Sequence, residues 1–216
     1  MDRHDERMDL TRVQALRDLL ASTGWVESSR RFARSLRDST TEPGGLLLVG
    51  TPQSEPWHLA AHLDDEARYG GRPELAPTLV RWNAPREAPP HLRIGFERLE
   101  AARRGETLFV VAPDAAPVPL LERLSDARRV GATVLSMDGG DAELADLAHD
   151  RLVVPTVQPA GEADPSWSGR SALPPVDMET VQHLVSLAAG EEAAPRSRRD
   201  RLARLLERLS GPAPGR

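Results

Sequence analysis

The sequence predicts an α/β protein: a three-layer αβα sandwich around a five-stranded parallel sheet, with helices ahead of it and a helical appendage behind. Three observations carry this. Short unbroken apolar runs recur: "LLLVG" (46–50), "TLVRW" (78–82), "TLFVVA" (107–112), "ATVLS" (132–136) and "RLVVP" (151–155). Such runs mark strands covered on both faces. Between them, apolar residues recur at helical spacing. Strands alternating with helices pair in parallel, and right-handed crossovers then place helices on both sides of the sheet.

Taken in order, residues 1–9 are charged and are expected to be disordered. The domain proper spans 10–155. Leu10, Val13, Leu16 and Leu20, then Val26, Ala33 and Leu36, keep helical spacing, and "STGW" (22–25) divides them into two helices. "TTEPGG" (40–45) turns the chain into the first strand. A helix over 56–68 follows, stopped by Gly70 and Gly71. After the second strand, "GFERLEAARRG" (95–105) presents Phe96, Leu99 and Ala102 on one helical face, with Gly105 as its stop. Pro117–Arg129 is a helix with Leu120, Leu121, Leu124 and Ala127 inward, and 141–149 is another. Residues 156–190 form an extension, rich in Pro, Gly and Ser until a helix over Met178–Ala189. Residues 191–216 are a linker and a basic amphipathic helix, "RRDRLARLLERL", with Leu202, Leu205, Leu206 and Leu209 as its stripe.

Composition narrows the function classes. There is no cysteine, which removes disulfides, thiolate metal sites and cysteine nucleophiles, and makes a cytoplasmic location the default. No apolar run approaches the roughly 18 residues a membrane span needs. "MDRHDERMDL" is no secretory signal, because no apolar stretch follows it. The net charge of −5 is uneven: from Pro195 onward seven arginines face two carboxylates. An acidic body argues against nucleic-acid binding, and one short basic segment is a weak footprint for it. The terminal helix is too short to stand alone in water and needs a partner surface, its own domain or another protein. P-loop, Gly-x-Gly-x-x-Gly and Gly-x-Ser-x-Gly motifs are absent.

Three stretches carry a family resemblance. "RRGETLFVVAP", "LLERLSDARRVGATVLSM" and "AELADLAHDRLVVP" resemble the strand entry, the helix–Gly–strand unit and the closing segment of sugar isomerase (SIS) domains. These are phosphosugar-binding domains with a flavodoxin-like parallel sheet. The resemblance covers residues 10–155, and it implies a homodimer and a carbohydrate-like ligand. "VGTPQSEPWHLAAHL" is similar to the segment in which phosphoheptose isomerases, a subgroup, place a His and a Glu that help hold zinc and move the proton. His58 falls on that His and His62 on that Glu. The glycine- and serine-rich turn before them is shortened. Spacing of i and i+4 puts both imidazoles on one helix face, where they could share a zinc ion with a third ligand. His183 is the residue to test for that part. Asp65 or Glu66 would serve as acid–base partner. Two surface histidines on a helix packed through Leu59 and Leu63 would look the same.

The phosphate loop is where the resemblance fails. SIS domains hold phosphate with a loop of the form Ser-x-Ser-Gly-x-Thr at the exit of this third strand, using hydroxyls and amides at a helix N-terminus. Here the loop reads Pro113-Asp114-Ala115-Ala116-Pro117. It has no hydroxyl, its prolines have no N–H, and Asp114 is suited to cap the helix itself. A phosphate about 4 Å from that carboxylate would be repelled by roughly 4 kcal/mol at a surface-like dielectric, about a thousandfold in affinity. The resulting expectation is a non-catalytic regulatory, binding or scaffolding module without a cofactor. The alternative is a divergent phosphosugar isomerase using His58 and His62, with zinc.

The remaining ligand-contact candidates each have a plainer reading. Thr51, Gln53 and Ser54 could donate to a polar ligand or simply enter the helix. Asp138, Gly139 and Gly140 could line the carboxyl edge of the sheet or form a turn before an Asp141 cap. Arg170, near Trp167 in the extension, could bind an anion or stay solvated.

Overall fold

Each apolar run becomes a strand because its alternate residues find cover on opposite sides. In the computed structural model, which describes residues 24–84, 87–89, 92–155 and 176–191, the strands are β1 (Leu46–Val49), β2 (Thr78–Val80), β3 (Thr107–Ala112), β4 (Thr133–Asp138) and β5 (Asp150–Val153). All pairings are parallel, in the order β2-β1-β3-β4-β5. Helix α1 is Trp25–Ser39, α2 Trp57–Gly70, α3 Val118–Arg129, α4 Ala142–Leu147 and α5 Met178–Gly190.

Two cores separate cleanly by strand parity. Leu46 and Leu48 of β1 and Phe109 and Val111 of β3 pack with Trp25, Phe32 and Leu36 of α1, Leu59 and Leu63 of α2, and Val181 and Val185 of α5. Leu47, Val49, Leu108 and Val110 face the other way, onto Leu120 and Leu124 of α3 and Leu144 of α4. Period-two alternation in a sheet buried on both faces requires this division. It establishes the three layers.

Local chemistry sets the element ends. Gly24 takes a left-handed φ of 78° at the start of α1, and Gly71, at φ 71°, ends α2. Asp177 accepts from the Thr180 amide (2.8 Å) and hydroxyl (2.7 Å), capping α5. Partial burial pushes the Asp177 carboxyl up, but the bonds from Thr180 and the backbone amides of Asp177 and Glu179 together hold it below its usual range. α5 lies against both α1 and α2, and Arg37 of α1 donates to the Ala188 carbonyl at 2.6 Å.

Three expectations are amended. The predicted helix over 95–105 is only a 3-10 turn, Phe96–Leu99. Glu106 accepts from the Arg103 amide (2.8 Å) and pairs with Arg98, and those bonds bend the chain where a helix would continue. Strand β4 runs two residues beyond the apolar stretch because Met137 and Asp138 pair with both β3 and β5. Strand β2 ends at Val80, with Arg81 making only an isolated bridge to Gly95. The first N-terminal helix, the extension with Trp167 and Arg170, and the terminal basic helix lie outside the described residues.

Candidate functional site at the carboxyl edge of the sheet

The chain leaves β1 for β2 on one side and returns to β3 on the other. In open α/β sheets, the crevice at that reversal is where ligands bind. Three strand exits and the starts of two helices build its rim.

The β1 exit is a tight turn. Thr51 and Ser54 exchange two backbone hydrogen bonds, both 3.1 Å. A side chain on Gly50 would meet the Ser54 carbonyl oxygen at 2.0 Å, so the turn needs glycine there. Glu55 ties this loop to the end of β2, accepting from Arg81 Nε (3.1 Å) and the Trp82 amide (3.3 Å). The Trp82 indole donates to the Gly50 carbonyl at 2.8 Å and stacks on Phe96. The Arg81 guanidinium sits 4.4 Å from the Trp57 ring centre. Within this pinned loop Gln53 is exposed and Ser54 half-buried. Thr51 is 1 % exposed, and its hydroxyl has no hydrogen-bond partner among the described residues.

The β3 exit is built differently. Asp114 and Ala115 are exposed, and Ala116 is buried. The expected Asp114 cap does not form: Pro117 is the N-cap of α3 and no side chain caps it. Asp114 stands three residues too early, and Pro119 removes one of the amides a cap would bind. The carboxylate that does reach the loop is Asp141, whose Oδ2 accepts from the Ala116 amide at 2.6 Å. Its Oδ1 accepts from Leu144 N at 3.1 Å, capping α4 as expected.

The β4 exit is spent on itself. Asp138, fully buried, accepts from the Ser136 hydroxyl (2.8 Å), the Gly140 amide (2.9 Å), the Asp141 amide (3.2 Å) and Arg151 Nε (2.9 Å). A second Arg151 nitrogen bonds its other oxygen and reaches the Asp141 carbonyl at 2.8 Å. The hydrogen-bonded Asp138 carboxylate raises the Arg151 guanidinium pKa further above its already high value, against a smaller desolvation cost. Gly139 donates to the Ala112 carbonyl. Gly140, at φ 117°, is the exposed residue of this stretch.

The histidines meet α5. His58 Nδ1 lies 2.7 Å from Glu179 Oε1, both side chains well exposed. The His62 and His183 rings contact edge to face, 4.4 Å between centroids. Two i, i+4 pairs, one on each helix, therefore stand opposite each other. Among the described residues, no group of three or more His, Asp or Glu is arranged to hold a metal ion. Glu66 lies beside Gly190 at the far end of α5, while Asp65 is half-buried on α2. Sequence reasoning missed Glu179, Arg151 and the reach of Asp141 to Ala116. The Glu179–His183 spacing, which repeats that of His58–His62, was the one signal available.

No protein-family model matches the sequence, and no curated protein is significantly similar to it. Solved structures do match. The sugar isomerase domain of the RpiR transcription factor from Sphaerobacter thermophilus aligns over 92% of this chain and 97% of its own, with 15% identity and a TM-score of 0.50. The Vibrio vulnificus NanR protein complexed with ManNAc-6P aligns over 95% and 74%, at 15% identity and a TM-score of 0.44. The chain has the fold of a sugar isomerase domain.

Proposed function

We propose that this protein is a binding module on the sugar isomerase fold, regulatory or scaffolding in role, without isomerase chemistry. Its ligand is a carbohydrate derivative or another small polar molecule that is not carried by a phosphate group. One observation carries the reading: the β3 exit, Pro113–Pro117, holds an exposed carboxylate and no hydroxyl. A sugar phosphate there meets like charge, which costs roughly 4 kcal/mol at about 4 Å in a surface-like dielectric, and finds few donors. The same fold within a transcription factor supports a regulatory role. The reading includes a cytoplasmic homodimer, with the basic terminal helix available to a protein partner.

The test is calorimetric titration of the full-length protein with hexose and heptose phosphates. No binding below millimolar concentration is expected. Sub-millimolar binding abolished by changes at Thr51 or Ser54 would refute the proposal. A second reading, a divergent phosphosugar isomerase using zinc at His58 and His62, draws support from the His62–His183 contact. Stoichiometric zinc together with aldose–ketose turnover would establish it.

A further inference from the structure

Asp141 occupies a backbone donor at the β3 exit. The Ala116 amide, the buried backbone donor at the β3 exit, already holds an anion 2.6 Å away, and that anion is the Asp141 carboxylate. Asp141 cannot easily swing aside. Its other oxygen caps α4, its amide donates to Asp138, and its carbonyl accepts from Arg151. Asp138 and Arg151 thus clamp the backbone that aims the carboxylate.

A second donor waits next door. The β1–β3 register pairs Val49 with Val110, and Thr51 lies two residues beyond Val49, in the exit of the neighbouring strand. The Thr51 hydroxyl there is buried and has no partner among the described residues. A buried hydroxyl without a partner costs stability, and it leaves this rim a donor that a ligand could use.

We infer that Asp141 determines the charge specificity of this rim: its carboxylate occupies the anion position beside Ala116 as a built-in surrogate, and its removal opens that position to phosphate. The inference rests on the reading of the rim as a ligand site that excludes phosphate. It adds occupancy by Asp141 to the repulsion from the exposed Asp114, and it is the occupancy that removing Asp141 relieves.

The experiment titrates isotope-labelled full-length protein with inorganic phosphate and with glucose 6-phosphate at constant ionic strength, following the Ala116 amide by NMR. In the wild type the amide stays unmoved and exchanges slowly with solvent. Asp141→Ser and Asp141→Thr keep a capping oxygen for α4 but are too short to reach Ala116. Each should show a saturating shift at Ala116, with an apparent dissociation constant at least tenfold below the highest ligand concentration at which the wild-type amide stays unmoved. Asp141→Asn keeps an acceptor in place without the charge and should remain closed. Folded Ser and Thr variants with an unresponsive Ala116 overturn the inference, and so does an Asn variant that opens as far as the Ser variant. If neither short variant folds, the wild type decides: an Ala116 amide exchanging as fast as that of exposed Ala115 overturns it. Phosphate binding by the wild type through Thr51, with Ala116 silent, would refute the proposed function alone.

Discussion

The β1 and β3 exits lie side by side on one rim and have opposite chemistry. The β1 exit keeps donors, the Thr51 and Ser54 hydroxyls, and is held from outside by Arg81 and Trp82 of the neighbouring strand's end. The β3 exit has proline, alanine and a carboxylate, and its remaining inward donor is taken by Asp141. In the first loop the contacts fix shape and leave a hydroxyl over. In the second they occupy the buried backbone donor itself. A loop's polar contacts can therefore differ without disturbing its place in the fold, because the strand below it is buried independently of what the loop holds.

The comparison can be broken at its supports. Arg151→Ala should have the largest effect. It strips the fully buried Asp138 of its charge partner, and removing one member of a buried pair costs about 3–5 kcal/mol. Because Arg151 is itself partly exposed, about 3 kcal/mol is expected, measured by urea unfolding. The Ala116 amide should lose protection along with it. Stability unchanged within error would show that the clamp at the β4 exit supports nothing.

Gly50→Ala attacks the other exit. The added carbon would lie 2.0 Å from the Ser54 carbonyl oxygen, and relieving such a clash costs about 2 kcal/mol. Loss of the near-ultraviolet signal from Trp82, whose indole bonds the Gly50 carbonyl, should accompany it. A variant as stable as the wild type, with Trp82 undisturbed, would mean that the β1 loop is not pinned.

Thr51→Val is the smallest and sharpens the contrast. Replacing an unpartnered buried hydroxyl with a methyl group should leave stability unchanged or raise it by up to about 1 kcal/mol. A loss beyond 1 kcal/mol in the ligand-free protein would show that the hydroxyl already has a structural partner.

Much of the fold was legible in the chain. All five strands could be placed, because parallel strands buried on two faces need unbroken apolar runs, and "LLLVG" and "TLFVVA" have few other uses. The end of β4 was not, since Ser136 and Asp138 are polar yet buried, and their mutual bond, the Gly140 and Asp141 amides and Arg151 make that tolerable. The 95–105 segment reads as a helix by spacing but yields to the bonds of Glu106. At the site, the absence of hydroxyls between Pro113 and Pro117 is plain in the letters. The cap assigned to Asp114 was wrong, since the reading could not see which carboxylate reaches the loop.

What the sequence determined alone is what a short window contains: the five buried strands, the helices whose apolar stripe finds cover, and which side chains a loop carries. Periodicity and local hydrogen bonding decide those. The tertiary structure alone decided that Asp141 meets Ala116 across 25 positions and that Glu179 meets His58 across 121. Burial drives the layers together without direction, so no window of sequence states which polar groups will face each other once the sheet order and the return of α5 have brought them together.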